Sequence, residues 1–432
     1  MSQSLRSDIY LLLILLHIMS FSILGQTPGR TLIRTGHLLD VKTGSEPAAQ
    51  TIIVTGDRIT AIAPTASTPK QSGDTEIDLT RYTVLPGLID VHTHLTGESA
   101  NFDPYTELTA TPGKEAIIGV ENAKVTLEAG FTTVRNVGAS DYTDVALRDE
   151  IDAGHIPGPH MQVSGPPLGI TGGHCDDNLL PFEYHITAQG VADGIAAVQQ
   201  KVRQNIKYGA NLIKICATGG VLSKGDDPEA SQYTLEEMQA IVADAHRLGR
   251  KVAAHAHGSQ GILWATEAGV DSIEHGSYIN DEDIAAMKKH GTYLVPTAYL
   301  VDWHQQYGKL PALYAQKMKD VSAAMKANHK KAIAAGVKIA LGTDAAVYPH
   351  GLNAHEIDVY VNQYGLSPLA GIQAGTINAA DLMGWNDKVG TLEPGKWADI
   401  IAVVGDPLKD VLILQHVNFV MKSGVVYKNE VR

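Results

Sequence analysis

The chain reads as an α/β protein: a (β/α)8 TIM barrel with a small β-sandwich domain formed from its N- and C-terminal segments. Three observations predict this. From about Leu85 to Trp385, eight short apolar runs alternate with longer amphipathic stretches. On either side of that stretch lie short β-type runs broken by turn residues. Polar residues recur where the apolar runs stop, which is where barrels of this kind hold their sites. Parallel strands need helical crossovers, so eight alternations fit a parallel sheet closed on itself.

In chain order, residues 1–25 stand apart. The apolar run Ile9–Leu24 has 16 residues, short of the ~20 that span a bilayer. Ser20, Ser22 and Gly25 mark its end, and the pattern predicts a signal peptide cleaved near Gly25–Gln26. The expected protein is exported, periplasmic or secreted, with no stable membrane association after cleavage; an uncleaved anchor is the alternative. Next come Thr31–Thr35, Gln50–Val54 and Arg58–Ala63, the last two linked hairpin-fashion by Thr55-Gly56-Asp57. The same texture returns in Asp399–Val404, Val417–Lys422 and Val425–Tyr427. Segments 26–85 and 386–432 therefore form the small domain, and 86–385 the catalytic barrel.

Barrel strands are expected at Gly87–His92, Thr132–Val137, Met161–Ser164, Leu212–Cys216, Val252–His255, Ser272–His275, Tyr293–Pro296 and Ile339–Gly342. Helices are expected at Glu115–Ala129, Ala188–Tyr208, Leu235–Leu248, Asp281–His290 and Leu313–Ala335. A length of 432 residues suits such a barrel with an appendage, and 44% hydrophobic residues supply a sizeable core. The net charge of −13, without any Lys/Arg-rich run, argues against nucleic acid as a partner. Cys175 and Cys216 make no disulfide framework in so long a chain, and each is expected to be a free buried thiol.

The chemistry sits at the expected strand ends. His92-Thr93-His94 closes the first strand, and residues two apart on a strand face the same way, so both imidazoles can reach one ion. Lys214 lies in the apolar run Leu212–Cys216, where an ammonium is costly unless paired, neutral or modified. His255, His275 and Asp344 end three further runs. Each alone fits a structural role equally well. Six together at the ends of expected strands 1, 4, 5, 6 and 8 do not fit packing. Arg135 and Asn136, at the end of the second strand, either line the pocket or brace the barrel.

The motifs Pro86-Gly87-Leu88-Ile89-Asp90-x-His92-x-His94, Lys214-Ile215-Cys216-Ala217-Thr218-Gly219-Gly220, His255-Ala256-His257, Glu274-His275-Gly276 and Gly342-Thr343-Asp344 resemble the metal-dependent amidohydrolase superfamily. More narrowly they resemble its prolidase-like, imidazolonepropionase-related branch. Gly390-Thr391-Leu392-x-Pro394-Gly395-Lys396-x-Ala398-Asp399 extends the likeness over nearly the whole mature chain. The resemblance implies two divalent ions, usually zinc, bridged by a carbamylated lysine and a hydroxide. Carried over by position, His92, His94 and Asp344 hold one ion, His255 and His275 the other, and carbamylated Lys214 bridges both. Asp344 takes the proton of the attacking water and passes it to the leaving amine. His257 would act at the substrate carbonyl, although dipeptidases of this branch often carry tyrosine there. His174, in a Gly-rich loop, would touch substrate.

The implied reaction is hydrolysis of the amide bond of a dipeptide or N-acyl amino acid, ochratoxin-type amides included, by a homo-oligomer acting on a small molecule. Mononuclear deamination is disfavoured, because Gly258 occupies the position of the deaminases' glutamate and Lys214 is present. Cyclic-amide opening, of an imidazolone or hydantoin, is the competitor. A scaffold that has lost its metals is the third reading, and the complete ligand set argues against it.

Overall fold

The computed structural model describes residues 29–97 and 104–431. The expected signal segment, 1–25, lies outside them. No described helix is long and apolar enough to cross a membrane.

The two ends of the chain meet in one sheet. Strands β1 (Arg30–Leu38), β2 (Gln50–Thr55), β3 (Arg58–Pro64) and β4 (Thr75–Pro86) come from the N-terminal side. Strands β12 (Ile400–Val403), β13 (Phe419–Lys422) and β14 (Val425–Asn429) come from the C-terminal side. They form a seven-stranded sheet in the order β14-β13-β12-β4-β1-β2-β3, with only β1 and β4 parallel. A sandwich was expected from the sequence; the hydrogen bonding makes one continuous sheet. The reason is β4, which at 12 residues pairs with β1 from Thr75 and with β12 over Thr83–Pro86. Gly36 relieves a crowded point in the β1–β4 pairing, since a Cβ there would collide with the carbonyl oxygen of Thr80. Ile33, Ile52, Leu79, Val84, Phe419 and Met421 are fully buried in this unit's core.

The middle of the chain supplies two parallel sheets. One joins β5 (Leu88–Thr93), β6 (Phe131–Asn136) and β7 (His160–Val163). The other joins β8 (Leu212–Cys216), β9 (Lys251–Ala256), β10 (Ser272–His275) and β11 (Tyr293–Val295). Nearly every residue of these strands is buried, which explains why they read as short unbroken apolar runs rather than alternating ones. Single parallel bridges link their edges: Leu168 to Ile215, Leu294 to Ile339, and Ala345 to Thr93.

Seven of the eight expected barrel strands thus appear within a residue or two. The eighth, Ile339–Gly342, makes one bridge, from Ile339 to Leu294, rather than a ladder. It is held by hydrogen bonds from Leu294 N to Lys338 O (2.8 Å) and from Val91 N to Leu341 O (2.8 Å). Gly342 lets the segment press between β5 and β11, because a Cβ there would collide with Val295 and His92.

The expected helix Asp281–His290 is present. Asn280 and Asp283 form its capping box, and Gly291 ends it in the left-handed conformation. The expectation for the cysteines is corrected: Cys175 and Cys216 form a disulfide, with Cα atoms 6.0 Å apart. The loop after β7 runs alongside β8, as the Leu168–Ile215 bridge shows, and this brings the two together.

Candidate functional site

His92 and His94 come from β5 and the residue after it, with ring centroids 5.5 Å apart. His255 in β9 and His257 just beyond it lie 4.8 Å apart. His275 closes β10 and is the hub, its ring 5.1 Å from His92, 4.7 Å from His255 and 4.9 Å from His257. Asp344 Oδ1 stands 3.4 Å from His92 Nε2 and 3.3 Å from His94 Nε2. Two sets of ligand atoms, from His255, His257 and His275 and from His92, His275 and Asp344, each fall within 4.8 Å of one another. Lys214 is buried on β8 beside the cluster, feeling the charges of Glu274 and Asp344. The structure therefore gathers the residues singled out in the sequence, and it puts His257 among the potential donors.

Each metal-type histidine has one ring nitrogen already engaged. His92 Nδ1 meets Glu274 Oε2 at 2.7 Å and His94 Nδ1 meets Gly138 O at 3.1 Å. His255 Nε2 meets Gly219 O at 3.0 Å. His275 Nδ1 meets Thr297 Oγ1 at 2.7 Å, and that hydroxyl in turn donates to Pro296 O at 2.8 Å. Carbonyl and carboxylate oxygens only accept, and the Thr297 hydroxyl has spent its proton. Each imidazole must donate through the engaged nitrogen, which leaves the other with a free lone pair. This is the tautomer a metal ligand needs, and the donor set of imidazoles with a carboxylate suits a zinc-like ion.

The electrostatics agree. Burial, with their neighbours' charge added, holds His255 and His275 well below the usual imidazole range, and His257 at about 3. Burial lowers Lys214 to about 8, against the pull of Glu274 and Asp344. Burial pushes Asp344 upward, but the pull of His92 and the nearby Nε2 atoms of His92 and His94 outweigh it and hold the carboxyl well below the usual carboxylate range. Burial likewise opposes ionisation of Glu274, which Arg135, His92 and Lys214 nevertheless bring to about 2. Backbone strain collects here too: His275, Thr297 and Asp344 have φ of 69°, 47° and 60°, the left-handed region that non-glycine residues rarely adopt.

His174 reaches the same cavity from the loop after β7, its ring 4.2 Å from that of His255. Its Nδ1 lies 2.8 Å from Ser223 Oγ, which bonds the carboxylate of Asp226. Lys317 Nζ donates to Asp226 Oδ1, Gly220 O and Ser223 O, pinning the helix Ala312–Ala334 to the loop after β8.

A cavity of about 360 Å³ opens over the cluster. His94, His174, His255, His257, His275 and Asp344 form its polar floor. Leu300 and Val301 of the helix Tyr299–Tyr307, Met318, Val321 and Met325 of Ala312–Ala334, and Val221 and Leu222 form an apolar wall. Thr96, Glu115 and Ser140 also line it. Arg135 is not in this lining; it is buried and pairs with Glu274 Oε1 at 2.8 Å, so it braces the barrel. Sequence reasoning missed the wall, Glu115 and the orienting role of Glu274. Only the last had a signal, a carboxylate set between Ile273 and His275 in a buried strand.

Residues 83–428 match the model of the amidohydrolase family, and the chain belongs to that family. It is a hydrolase acting on amide bonds. Ochratoxinase of Aspergillus niger is 34% identical over 415 residues, 89% of this chain and 84% of that one. Its crystal structure superposes with a TM-score of 0.82 at 29% identity, covering 93% and 96% of the two chains. A Xaa-Pro dipeptidase with methionine bound in its active site gives 0.86 at 37% identity, covering 93% of this chain and 100% of the other. Imidazolonepropionase of Fusobacterium nucleatum is 26% identical over 387 residues, 82% and 83% of the two chains. The family generally uses metal ions, and the histidine cluster can hold one.

Proposed function

We propose that the chain is a binuclear metal-dependent amidohydrolase that cleaves the amide bond of a dipeptide or N-acyl amino acid, ochratoxin-type amides included. The observation that carries this reading is the ring-nitrogen anchoring of His92, His94, His255 and His275, which leaves their free lone pairs for cations. In this reading His92, His94 and Asp344 hold one ion, His255 and His275 the other, and Lys214, carbamylated on its neutral amine, serves both. Zinc fits the donor types best. The three single bridges support closure of the two parallel sheets into a (β/α)8 barrel over 86–385, with 26–85 and 386–432 as the small domain.

When bound, the ions polarise the scissile carbonyl and acidify the attacking water. Asp344, kept anionic, takes that water's proton and delivers it to the departing amine nitrogen. His257, with its Nδ1 at 2.8 Å from Ser277 Oγ, and His174, held by Ser223, orient the substrate over the floor. The apolar wall accepts the hydrophobic side of the substrate and keeps bulk water out.

Metal analysis of active protein is expected to find about two divalent ions per chain. Only a trace in active protein overturns the reading. A panel of Xaa-amino acids and N-acyl amino acids, with a hydantoin and an imidazolone included, tests the substrate class; turnover confined to the rings moves the assignment to cyclic-amide opening. Export is part of the proposal and rests on the apolar run Ile9–Leu24. N-terminal sequencing of the native protein should begin near Gln26, and a chain that starts at Met1 removes it.

A further inference from the structure

Most of the polar lining of the cavity is spoken for by the histidine cluster and its supports. Glu115 is not. It lies in the first turn of the helix Pro112–Glu128, which Asn122 pins to the loop after β5 through hydrogen bonds to Leu95 O (2.8 Å) and Gly97 O (3.3 Å). The side chain lines the cavity, and its Oε2 is buried without a hydrogen-bond partner among the described residues. A buried carboxylate oxygen without a donor is costly, and such exceptions in native structures mark a missing partner. Asp141, next to the cavity-lining Ser140, adds a second negative charge that Glu115 feels. The described lining contains no lysine or arginine to balance either group. The group that fits is cationic and rich in donors: an ammonium offers three N–H bonds and a full charge.

We propose that Glu115 is a specificity-determining residue that receives a positively charged amine of the substrate. This rests on the reading that the cavity is the hydrolytic site, and it narrows that reading to amides that carry a cationic nitrogen. Two sources share this chemistry: the free α-ammonium of a dipeptide, and the basic side chain of a lysine- or arginine-type residue. The apolar wall across the cavity takes the remaining, uncharged part of the same molecule.

The test uses metal-loaded enzyme and matched substrate pairs. Alanyl-phenylalanine against N-propionyl-phenylalanine isolates the α-amine, and N-acetyl-lysine against N-acetyl-norleucine isolates the side-chain amine. Wild-type enzyme is expected to prefer the amine-bearing member of at least one pair, and the pair identifies the source. Glu115→Gln should lower that preference, the ratio of the two kcat/KM values, by about tenfold and mostly through KM, as loss of one charge-assisted bond implies. Glu115→Asp, which keeps the charge, should retain part of it. A purely structural role would slow both members alike and leave the ratio unmoved.

A binding arm separates this inference from the hydrolytic reading. Calorimetric titration with 2-phenylethylammonium is expected to show binding that weakens about tenfold in Glu115→Gln, with 2-phenylethanol unaffected. If amine binding depends on Glu115 but no amide is cleaved, hydrolysis is lost and the amine site stands. Equal preference and equal amine affinity in wild type and Glu115→Gln overturn it.

Discussion

The floor and the wall of the cavity are made by different means. The floor stands on the ends of β5, β9 and β10 with Lys214 of β8 behind it, and the imidazoles of His92, His94, His255 and His275 are fixed at both ends, by the strand and by a second ring nitrogen bound to a carbonyl, carboxylate or hydroxyl. The wall stands on the helices Tyr299–Tyr307 and Ala312–Ala334 and presents methionine, leucine and valine with no polar anchor of their own. Its polar ties to the floor all come from the helix Ala312–Ala334: Lys317 reaches the loop that orients His174, and Asn328 and His329 donate to the carbonyl oxygens of Ser277 and His275. Rigidity is thus concentrated where the reaction needs positions held to fractions of an ångström, and adaptability is left where substrates differ. Perturbing the floor should abolish chemistry, whereas perturbing the wall should change which substrate is taken.

The largest expected effect is at Lys214. Lys214→Ala should lose at least one ion per chain and about a hundredfold or more in activity, since a ligand shared by both ions disappears. A short carboxylic acid added from solution should restore part of the turnover by filling the vacated space. Lys214→Arg should not be rescued, because guanidinium fills that space with fixed charge and forms no carbamate. Metal stoichiometry and Tm measured on the same Lys214→Ala sample decide the matter. Full metal content with a lowered Tm would make Lys214 a structural partner of Glu274 and Asp344 and remove it from the floor's chemistry.

Next in size is Glu274, which touches no cavity yet sits between His92 and Arg135, 2.7 Å and 2.8 Å from them. Glu274→Gln should cost about 10- to 100-fold in metal affinity or activity, because the amide keeps one acceptor oxygen and, with Arg135 and Ser272 donating to it, turns its NH2 toward His92 Nδ1 and reverses the tautomer. It should also lower Tm, since Arg135 keeps its charge but loses its buried counterion, a change worth about 3–5 kcal/mol. A variant that loses stability and keeps metal affinity would show that His92 is oriented by β5 alone.

The same contrast explains what could be read in the sequence. A strand that ends in His-x-His, or a lysine inside Leu212–Cys216, breaks a local apolar pattern, so the floor was visible residue by residue. His257 could be placed near His255 by spacing, but its approach to His275 depends on how β9 and β10 pair. The eighth expected strand makes a single bridge, at Ile339, and Gly342 lets it wedge between two others, a tertiary fact. The Cys175–Cys216 link joins residues 41 apart and needs the loop after β7 to lie along β8. Glu115 is one acid among many at the start of an amphipathic helix; only burial without a partner distinguishes it. The helix Ala312–Ala334 was expected within a residue at each end, yet nothing in its amphipathic pattern says that its apolar face looks into a cavity.

The smallest expected effect tests that face directly. Met318, Val321 and Met325 are spaced by three and four residues, so they share one stripe of the helix, and all three line the cavity. Met318→Ala removes the flexible end of a nearly buried side chain without touching any ring of the floor. The metal content should stay the same. For an amide with a large apolar or aryl group, kcat/KM should fall about tenfold relative to one with an acetyl group, the scale set by losing a few apolar atoms from a pocket. The loss should appear in KM, since the wall binds ground state and transition state alike. A fall in kcat for both substrates, with metal content intact, would mean that Met318 acts through the helix's ties to His174, Ser277 and His275. Floor and wall would then be one mechanical unit, and the division drawn between them would fail.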